Sequence, residues 1–460
     1  MSAFFACMKP TLLLFLILFC QPIWVIGQTN SSVKKPNILL ILADDLGYGD
    51  LSCYGAPDIR TPHVDSLVRA GMRFSHFYAN SSVCSPSRAA LLSGRYPEQV
   101  GVPGVIRTMP DDNWGYLSPT AVLLPSLLKK NGYHTALIGK WHLGLESPNL
   151  PNDRGFGLFH GFEGDMMDDY YTHLRHNQNY MRLNRQTINP QGHATDLFTQ
   201  WAADYLQQRA GKPNPFFLYL AYNAPHDPIQ PPAHWLAKVK ARQPGISEKR
   251  AKLAALIEHM DDGIGQVIQT LRAKGLYENT LIVFVSDNGG KLFDGANNGP
   301  LRSGKGHMYE GGIRIPACVV WPGKIAAQSQ SQQPLLLMDL FPTLAEASGT
   351  TISHAIDGQS FLPILRGTSQ TLTPERALFY IRREGGSEYN GKTIDAVRLG
   401  DWKLLQDSPY SPLELYNLKD DPQEKANRAT DRPEEFRRLE KLMREHTRQG
   451  GAIPWEKGGL

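Results

Sequence analysis

Two pairs of oxygen-bearing side chains, Asp44–Asp45 and Asp287–Asn288, each stand directly behind an apolar run. Three carboxylates gathered without a counter-charge repel and raise at least one pKa. A hard divalent cation removes that conflict, and Ca²⁺ and Mg²⁺ take such all-oxygen sets. Asp44–Asp45 alone reads as a solvated turn; the matching pair behind a second run favours a metal. Lys140 and His142 lie two apart behind a third run, so their side chains share a face, and His226 follows a fourth. Histidines on separate segments suit separate acid and base duties. Cys84 opens the stretch Cys84-Ser85-Pro86-Ser87-Arg88. There Ser85 is expected as a helix N-cap and Pro86 as the first helical residue. The free N–H groups of such a helix start make an anion site beside the cysteine, and Arg88, one turn in, adds a fixed positive fork. On these residues alone, a structural thiol and a thiolate activated by the helix start both stay open.

The four runs are Asn37–Ala43, Thr135–Gly139, Phe216–Tyr222 and Leu281–Ser286. Unbroken apolarity over so short a length suits strands buried on both faces. Helix-like stretches lie between them at Val64–Ala70, Ser87–Ser93, Ala121–Asn131, Asp196–Arg209 and Ser247–Lys274. The alternation predicts an α/β sandwich, and ligands in open α/β sheets bind beyond the carboxyl ends of the strands. Four strands thus deliver polar groups toward one edge. Gln328–Gln333 reads as a polar linker and Pro334–Ala347 as a helix. Short strands are expected at Ala377–Ile381, Asp395–Leu399, Trp402–Leu405 and Leu413–Asn417, with a charged helix at Pro433–Arg448. The catalytic domain is placed at 35–368 and a smaller antiparallel α+β domain at 369–460.

At the N-terminus, Lys9 and the apolar run Leu12–Phe19 lay out a secretory signal peptide with cleavage after Gly27. Gln21 and Pro22 interrupt that run before it reaches the ~20 residues of a membrane span. Export is therefore expected, to the medium or periplasm, or to the lysosome in an animal host, with no stable membrane insertion. Beyond the leader only Cys53, Cys84 and Cys318 remain, too few for a disulfide scaffold. The near balance of 48 basic and 44 acidic residues, net +4, without a basic run, excludes nucleic acid as the expected partner.

The Cys-Ser-Pro-Ser-Arg stretch at 84–88 resembles the Cys-x-Pro-x-Arg signal of type I sulfatases. Gly132-Tyr133-His134-Thr135 through Gly139-Lys140-Trp141-His142 is similar to that family's second motif. Likeness runs from Lys35-Pro36-Asn37 through Asp339-Leu340-Phe341-Pro342-Thr343 to Glu414-Leu415-Tyr416-Asn417. The resemblance implies an alkaline phosphatase-like fold: a large, mostly parallel mixed sheet between helices, with a smaller C-terminal antiparallel domain. It implies that a maturation enzyme oxidises Cys84 to formylglycine (3-oxoalanine), whose hydrate attacks sulfur and then expels sulfate. Asp44, Asp45, Asp287 and Asn288 resemble ligands of the Ca²⁺ (Mg²⁺ as second choice) that holds hydrate and sulfate, with residue 84 itself at the metal. Arg88 is placed like the residue steadying the hydrate, and Lys140 and Lys305 like the lysines on sulfate oxygens. His142 resembles the base of the elimination, and His226 the acid of the leaving group, itself in contact with substrate. Lys291 and Arg302 are alternatives to Lys305, which lies in a segment that reads as flexible.

The expected substrate is a sulfated carbohydrate or other sulfated small molecule. Loops 165–185 and 382–388 are candidate walls, with Tyr170, Tyr171, Arg175, Arg382 and Arg383 suited to an anionic sugar; ordinary surface loops are the competing reading. His134, His193 and His259 are expected to be structural. Thr195–Asp196 reads as an N-cap pair, Asp261–Asp262 as a solvated or salt-bridged helix face, and Asp339 as a helix cap. Asn30 and Asn80 begin glycosylation sequons. A phosphodiesterase or phosphonate ester hydrolase sharing the same aldehyde and metal is the alternative, and a silent sugar-binding relative the second.

Overall fold

The computed structural model describes residues 1–4, 6, 34–372, 375–385 and 391–457. Most of the expected leader, Asn30 and positions 386–388 of one candidate wall lie outside them.

Among the described residues seventeen strands form in chain order: β1 Asn37–Ala43, β2 Met72–Tyr78, β3 His134–Lys140, β4 Leu158–Phe162, β5 Leu174–Arg175, β6 Gln178–Asn179, β7 Met181–Leu183, β8 Gln186–Thr187 and β9 Phe216–Ala221. There follow β10 Thr280–Ser286, β11 Arg314–Val320, β12 Ser329–Ser331, β13 Leu335–Leu336, β14 Leu378–Arg383, β15 Thr393–Leu399, β16 Trp402–Gln406 and β17 Glu414–Asn417. The main sheet runs β12-β2-β11-β10-β1-β9-β3-β4-β7-β8, with β13 also paired to β2. Its centre, β10-β1-β9-β3, is parallel throughout. All residues of β1, β9 and β10 are buried, which is why these segments read as unbroken apolar runs.

Helices cover both faces: α1 Pro62–Ala70, α2 Cys84–Ser93, α3 Leu124–Lys130, α4 Ala194–Arg209, α5 Ala233–Arg242, α6 Glu248–Ala273, α7 Glu310–Ile313, α8 Leu340–Ala347, α9 Leu362–Leu365 and α10 Pro433–Gln449. Leu40 and Leu42 join one core with α2, α3 and α8; Leu39 and Ile41 face the other, with α4 and α6. The alternation of strand side chains divides the two cores. A separate antiparallel sheet, β14-β15-β16-β17, packs Val397, Leu404 and Leu415 against Leu439 and Met443 of α10. None of Cys53, Cys84 and Cys318 is in a disulfide. Among the described residues no helix is long and apolar enough to cross a membrane.

Several local expectations are corrected. Helix α2 begins at Cys84 with Val83 at the cap position, and the Ser85 hydroxyl instead accepts the N–H of Ile106 from a crossing loop. His193, not Thr195 or Asp196, caps α4, its Nδ1 accepting the Thr195 N–H. Asp261 is buried rather than solvated and accepts the first amides of α1, from His63 and Val64. Residues 334–347 are not one helix, because Leu335–Leu336 is captured as a strand beside β2. Asp339 binds the Leu336 and Gln359 amides and Arg376 rather than capping α8. The polar 328–333 stretch includes β12, an edge strand on β2. The helix expected from Ala121 starts only at Leu124.

Candidate active site

Register explains the meeting point. Ala43 pairs with Ser286, Leu42 with Ala221, and Gly139 with Ala221. Four neighbouring parallel strands therefore stop at one level, and the residues just beyond them share one cleft edge. Gly139 permits the closeness: with φ +106°, it would put a Cβ 1.9 Å from the Ala221 carbonyl. Asp45 (φ 66°) and His142 (φ 62°) hold left-handed backbone at the strand exits, a strain that the surrounding structure must offset.

All ten expected site residues come together. Ligand atoms of Asp44, Asp45, Cys84 and His226 lie within 4.8 Å of one another. Cys84 Sγ is 3.9 Å from Asp45 Oδ1, and the Asp45 N–H donates to Asp287 Oδ1 at 3.1 Å. Asn288 Nδ2 donates to Asp45 Oδ1 at 2.7 Å. Arg88 Nε and Nη2 both donate to Asp287 Oδ2, at 3.1 and 2.9 Å. Lys140 Nζ is 2.5 Å from Asp44 Oδ2, and Lys305 Nζ 2.6 Å from Asp45 Oδ2. His226 Nδ1 donates to the Asp227 carbonyl, so its Nε2 faces inward, 3.0 Å from Lys305 Nζ and 3.5 Å from Asp45. His142 Nε2 donates to the Ile106 carbonyl at 2.8 Å, while its Nδ1 is buried without a partner.

Burial would raise the Asp44 carboxyl, but Lys140, His226, Arg88 and Lys305 outweigh it and hold Asp44 well below the usual range. Burial and the neighbouring Asp44 and Asp45 push Asp287 the other way, against Arg88. Burial drives the Cys84 thiol well above its ordinary value, with Asp44 and Asp287 opposing the pull of Lys305 and Lys140. The free side chain is a protonated thiol, not an activated thiolate. Burial, reinforced by Lys140 and Arg88, lowers His142 well below normal and favours its neutral form.

The donor set fits a hard cation. Asp44 Oδ1 and Asn288 Oδ1 are buried with no hydrogen-bond partner, the condition a metal relieves. A cavity of about 680 Å³ bordered by His76, Arg314, Arg376 and Arg398 includes none of these residues.

Lys305 is anchored by its N–H on the Gly290 carbonyl. Lys291 pairs with Asp227 and Asp294, and Arg302 turns to Tyr309, Tyr416 and the Glu424 carbonyl. Tyr170 is no open wall: it is 1% exposed, and its hydroxyl lies 2.8 and 2.9 Å from the carbonyls of Asn223 and His226. Arg175 is paired with Asp165 and Asp168, Arg382 with Glu384, and Arg383 with Asp395, while Tyr171 is exposed. His134 binds the Tyr205 hydroxyl; His193 donates to Gln230 and His259 pairs with Asp196. Sequence reasoning passed over Asp227, whose Oδ1 is 3.2 Å from His226 Nδ1; its adjacency to His226 was the available signal.

The sulfatase family profile matches residues 36–350. The chain belongs to the sulfatase family. It is a sulfuric ester hydrolase. A second profile, N-sulphoglucosamine sulphohydrolase, C-terminal, matches residues 303–449. Mouse N-acetylgalactosamine-6-sulfatase is 35% identical over 395 residues, covering 80% of this chain and 72% of that one. Human arylsulfatase A is 33% identical over 447 residues, covering 86% and 83%. The solved structure of Ps i-CgsB in complex with k-i-k-neocarrahexaose superposes with a TM-score of 0.83 at 31% identity, covering 92% of this sulfatase and 95% of that chain. Phosphonate monoester hydrolase from Silicibacter pomeroyi, at 21% identity, a TM-score of 0.66 and coverage of 90% and 96%, shares the fold alone.

Proposed function

We propose that this sulfatase releases sulfate from a sulfated carbohydrate after export, with Cys84 converted to formylglycine and Ca²⁺ held by Asp44, Asp45, Asp287 and Asn288. One observation carries the reading. Asp44, Asp45, Asp287 and Asn288 converge beside residue 84 from just beyond adjacent strand ends, and two of their buried oxygens lack a hydrogen bond: Asn288 Oδ1, and Asp44 Oδ1 with only a 3.5 Å ion pair to Arg88. Formylglycine at residue 84 would supply a nucleophilic oxygen, and Ca²⁺ held by Asp44, Asp45, Asp287 and Asn288 would lower the charge cost of its approach to an anionic ester. Arg88 fixes Asp287 through two nitrogens and reaches Asp44 Oδ1 at 3.5 Å. Lys140 and Lys305, each within ion-pair reach of the carboxylates, turn their ammonium groups onto the sulfate oxygens, where fixed cations meet the charge spread over the sulfuryl group. His226 offers Nε2 toward the leaving oxygen, with Lys305 Nζ 3.0 Å away. His142, neutral with a free Nδ1, is the proton acceptor.

The carbohydrate assignment draws on relatives: Ps i-CgsB solved with neocarrahexaose, and a protein solved with its substrate D-glucosamine-2-N,6-O-disulfate, 25% identical with a TM-score of 0.75 and covering 92% of this chain and 100% of that one. The test is the mass of the peptide spanning residues 80–88, combined with rates on sulfated oligosaccharides, an aryl sulfate and the matched aryl phosphate. Aldehyde at residue 84 and preferred release from the oligosaccharide are expected. Turnover of the aryl sulfate alone removes the sugar assignment, a large phosphate preference favours the phosphoester alternative, and full activity with an intact thiol removes the aldehyde.

A further inference from the structure

The two groups that flank the sulfate position are held by irregular segments. Lys305 lies in the stretch between β10 and α7. His142 is tied through Nε2 to the carbonyl of Ile106, in the stretch after α2. Both stretches meet one buried carboxylate that belongs to neither. Glu384, just past β14 of the C-terminal sheet, is fully buried. Its Oε1 accepts from Arg382 Nε at 2.9 Å, and its Oε2 from Arg107 Nη2 at 2.7 Å. Arg382 Nη1 goes on to the carbonyl of Gly306, the residue after Lys305, at 3.1 Å. Arg107 is the residue after Ile106. Further bonds join the same segments: the Gly306 N–H donates to the Ser82 carbonyl, the Arg383 N–H to the Pro103 carbonyl, and the Ser81 hydroxyl to the Ile381 carbonyl.

The charges show that this group is not incidental. A buried ion pair seldom stabilises a fold more than apolar packing would, so two guanidiniums closed on one fully buried carboxylate call for a reason other than stability. Planar forks fix direction as well as distance, and displacements near 1 Å at a reacting centre can cost about 100-fold in rate. The two oxygens of Glu384 thus connect, through Arg382 and Arg107, to the Lys305 stretch and to the stretch whose Ile106 carbonyl holds His142.

We infer that Glu384 is a positioning residue: through Arg382 it seats Lys305 and through Arg107 it seats His142, so that a carboxylate of the C-terminal sheet sets the spacing of the active site. The inference rests on the roles proposed above for Lys305 and His142. Steady-state kinetics on a sulfate ester test it with Glu384→Gln, Arg382→Ala and Arg107→Ala. Asp395→Asn serves as the control, since the guanidinium it pairs with, that of Arg383, otherwise donates to the Arg382 and Ile394 carbonyls of the same sheet. Arg382→Ala is expected to act mainly on KM and to weaken inhibition by inorganic sulfate, because Lys305 grips sulfate oxygens. Arg107→Ala acts mainly on kcat, because His142 moves a proton. Glu384→Gln does both, lowering kcat/KM by about 30-fold or more, while Asp395→Asn loses similar Tm with kcat/KM within about twofold of wild type. Kinetics of Glu384→Gln that match the control at equal Tm loss, or arms that change kcat and KM alike, overturn the inference. Lys305→Ala and His142→Ala separate the two failures. If they are impaired and Glu384→Gln is not, the positioning role alone falls; if they retain wild-type rates, the site reading falls and takes the positioning role with it.

Discussion

Arg88 sends two nitrogens to the same oxygen of Asp287, at 3.1 and 2.9 Å, with both side chains fully buried. Burial alone would lower the Arg88 pKa, but Asp287, Tyr219 and Asp44 raise it further, so the charge is permanent. Arg88→Ala leaves a crowded, uncompensated set of carboxylates and is expected to cost about 3–5 kcal/mol. Urea unfolding of the metal-free protein measures it. Arg88→Lys recovers only part, since one ammonium cannot reproduce the fork.

Ca²⁺ supplies charge to the same carboxylates and is expected to stabilise the fold. At a hundredfold excess over Kd the gain is about 2.7 kcal/mol, seen as a Tm rise that a chelator reverses. Asp45→Asn reduces the gain, and a Tm unmoved by Ca²⁺ in the wild type removes the metal assignment.

Tyr170→Phe deletes the hydroxyl shared by the Asn223 and His226 carbonyls. Loss of the bond to buried carbonyls is expected to cost about 1–3 kcal/mol. It also loosens the loop carrying His226, so kcat falls more than KM rises. Paired calorimetry and kinetics check both parts.

Asp261 gives a pH effect away from the site. Burial is the main cause that pushes its carboxyl up to about 7, with Asp65 and Asp262 adding and the Val64 and His63 amides opposing. The folded state thus holds its proton more tightly than the unfolded chain. The stabilisation is complete below the unfolded value of about 4 and is lost as pH rises through about 7. Asp261→Asn is expected to flatten the fall in Tm between pH 4 and 7, and an unchanged slope refutes the assignment.

The central strands were legible because burial on both faces leaves an unbroken apolar run, and Asp44, Asp45, Lys140, His142, Asp287 and Asn288 were legible because they sit immediately behind those runs. What escaped depends on partners remote in sequence. The Ser85 hydroxyl looks like a cap but receives the Ile106 amide 21 residues away, and Asp261 looks solvated but caps a helix 197 residues upstream. Arg382 and Arg383 suit an anionic sugar on sequence alone; Asp395 closes on Arg383 only through the pairing of β14 with β15, and Glu384, although two residues from Arg382, shows its burial only in the fold. The Arg107–Glu384 bond spans 277 residues, and neither residue stands in a periodic pattern. Leu335–Leu336 continues the apolar character of α8, so only its pairing with β2 reveals a strand.

The pairing of Asn37 with Thr280 has a consequence for biogenesis. Strand β1 emerges first, yet its neighbour β10 begins 243 residues later. The segment Asn-Ile-Leu-Leu-Ile-Leu-Ala gains its first lateral partner only when β9 emerges and is closed on its other side only by β10. Such high-contact-order closure is slow, and a bare strand of this composition invites self-association in the interval. Yield of the folded enzyme should therefore follow chaperone supply and synthesis rate more closely than it follows the stability of the finished molecule.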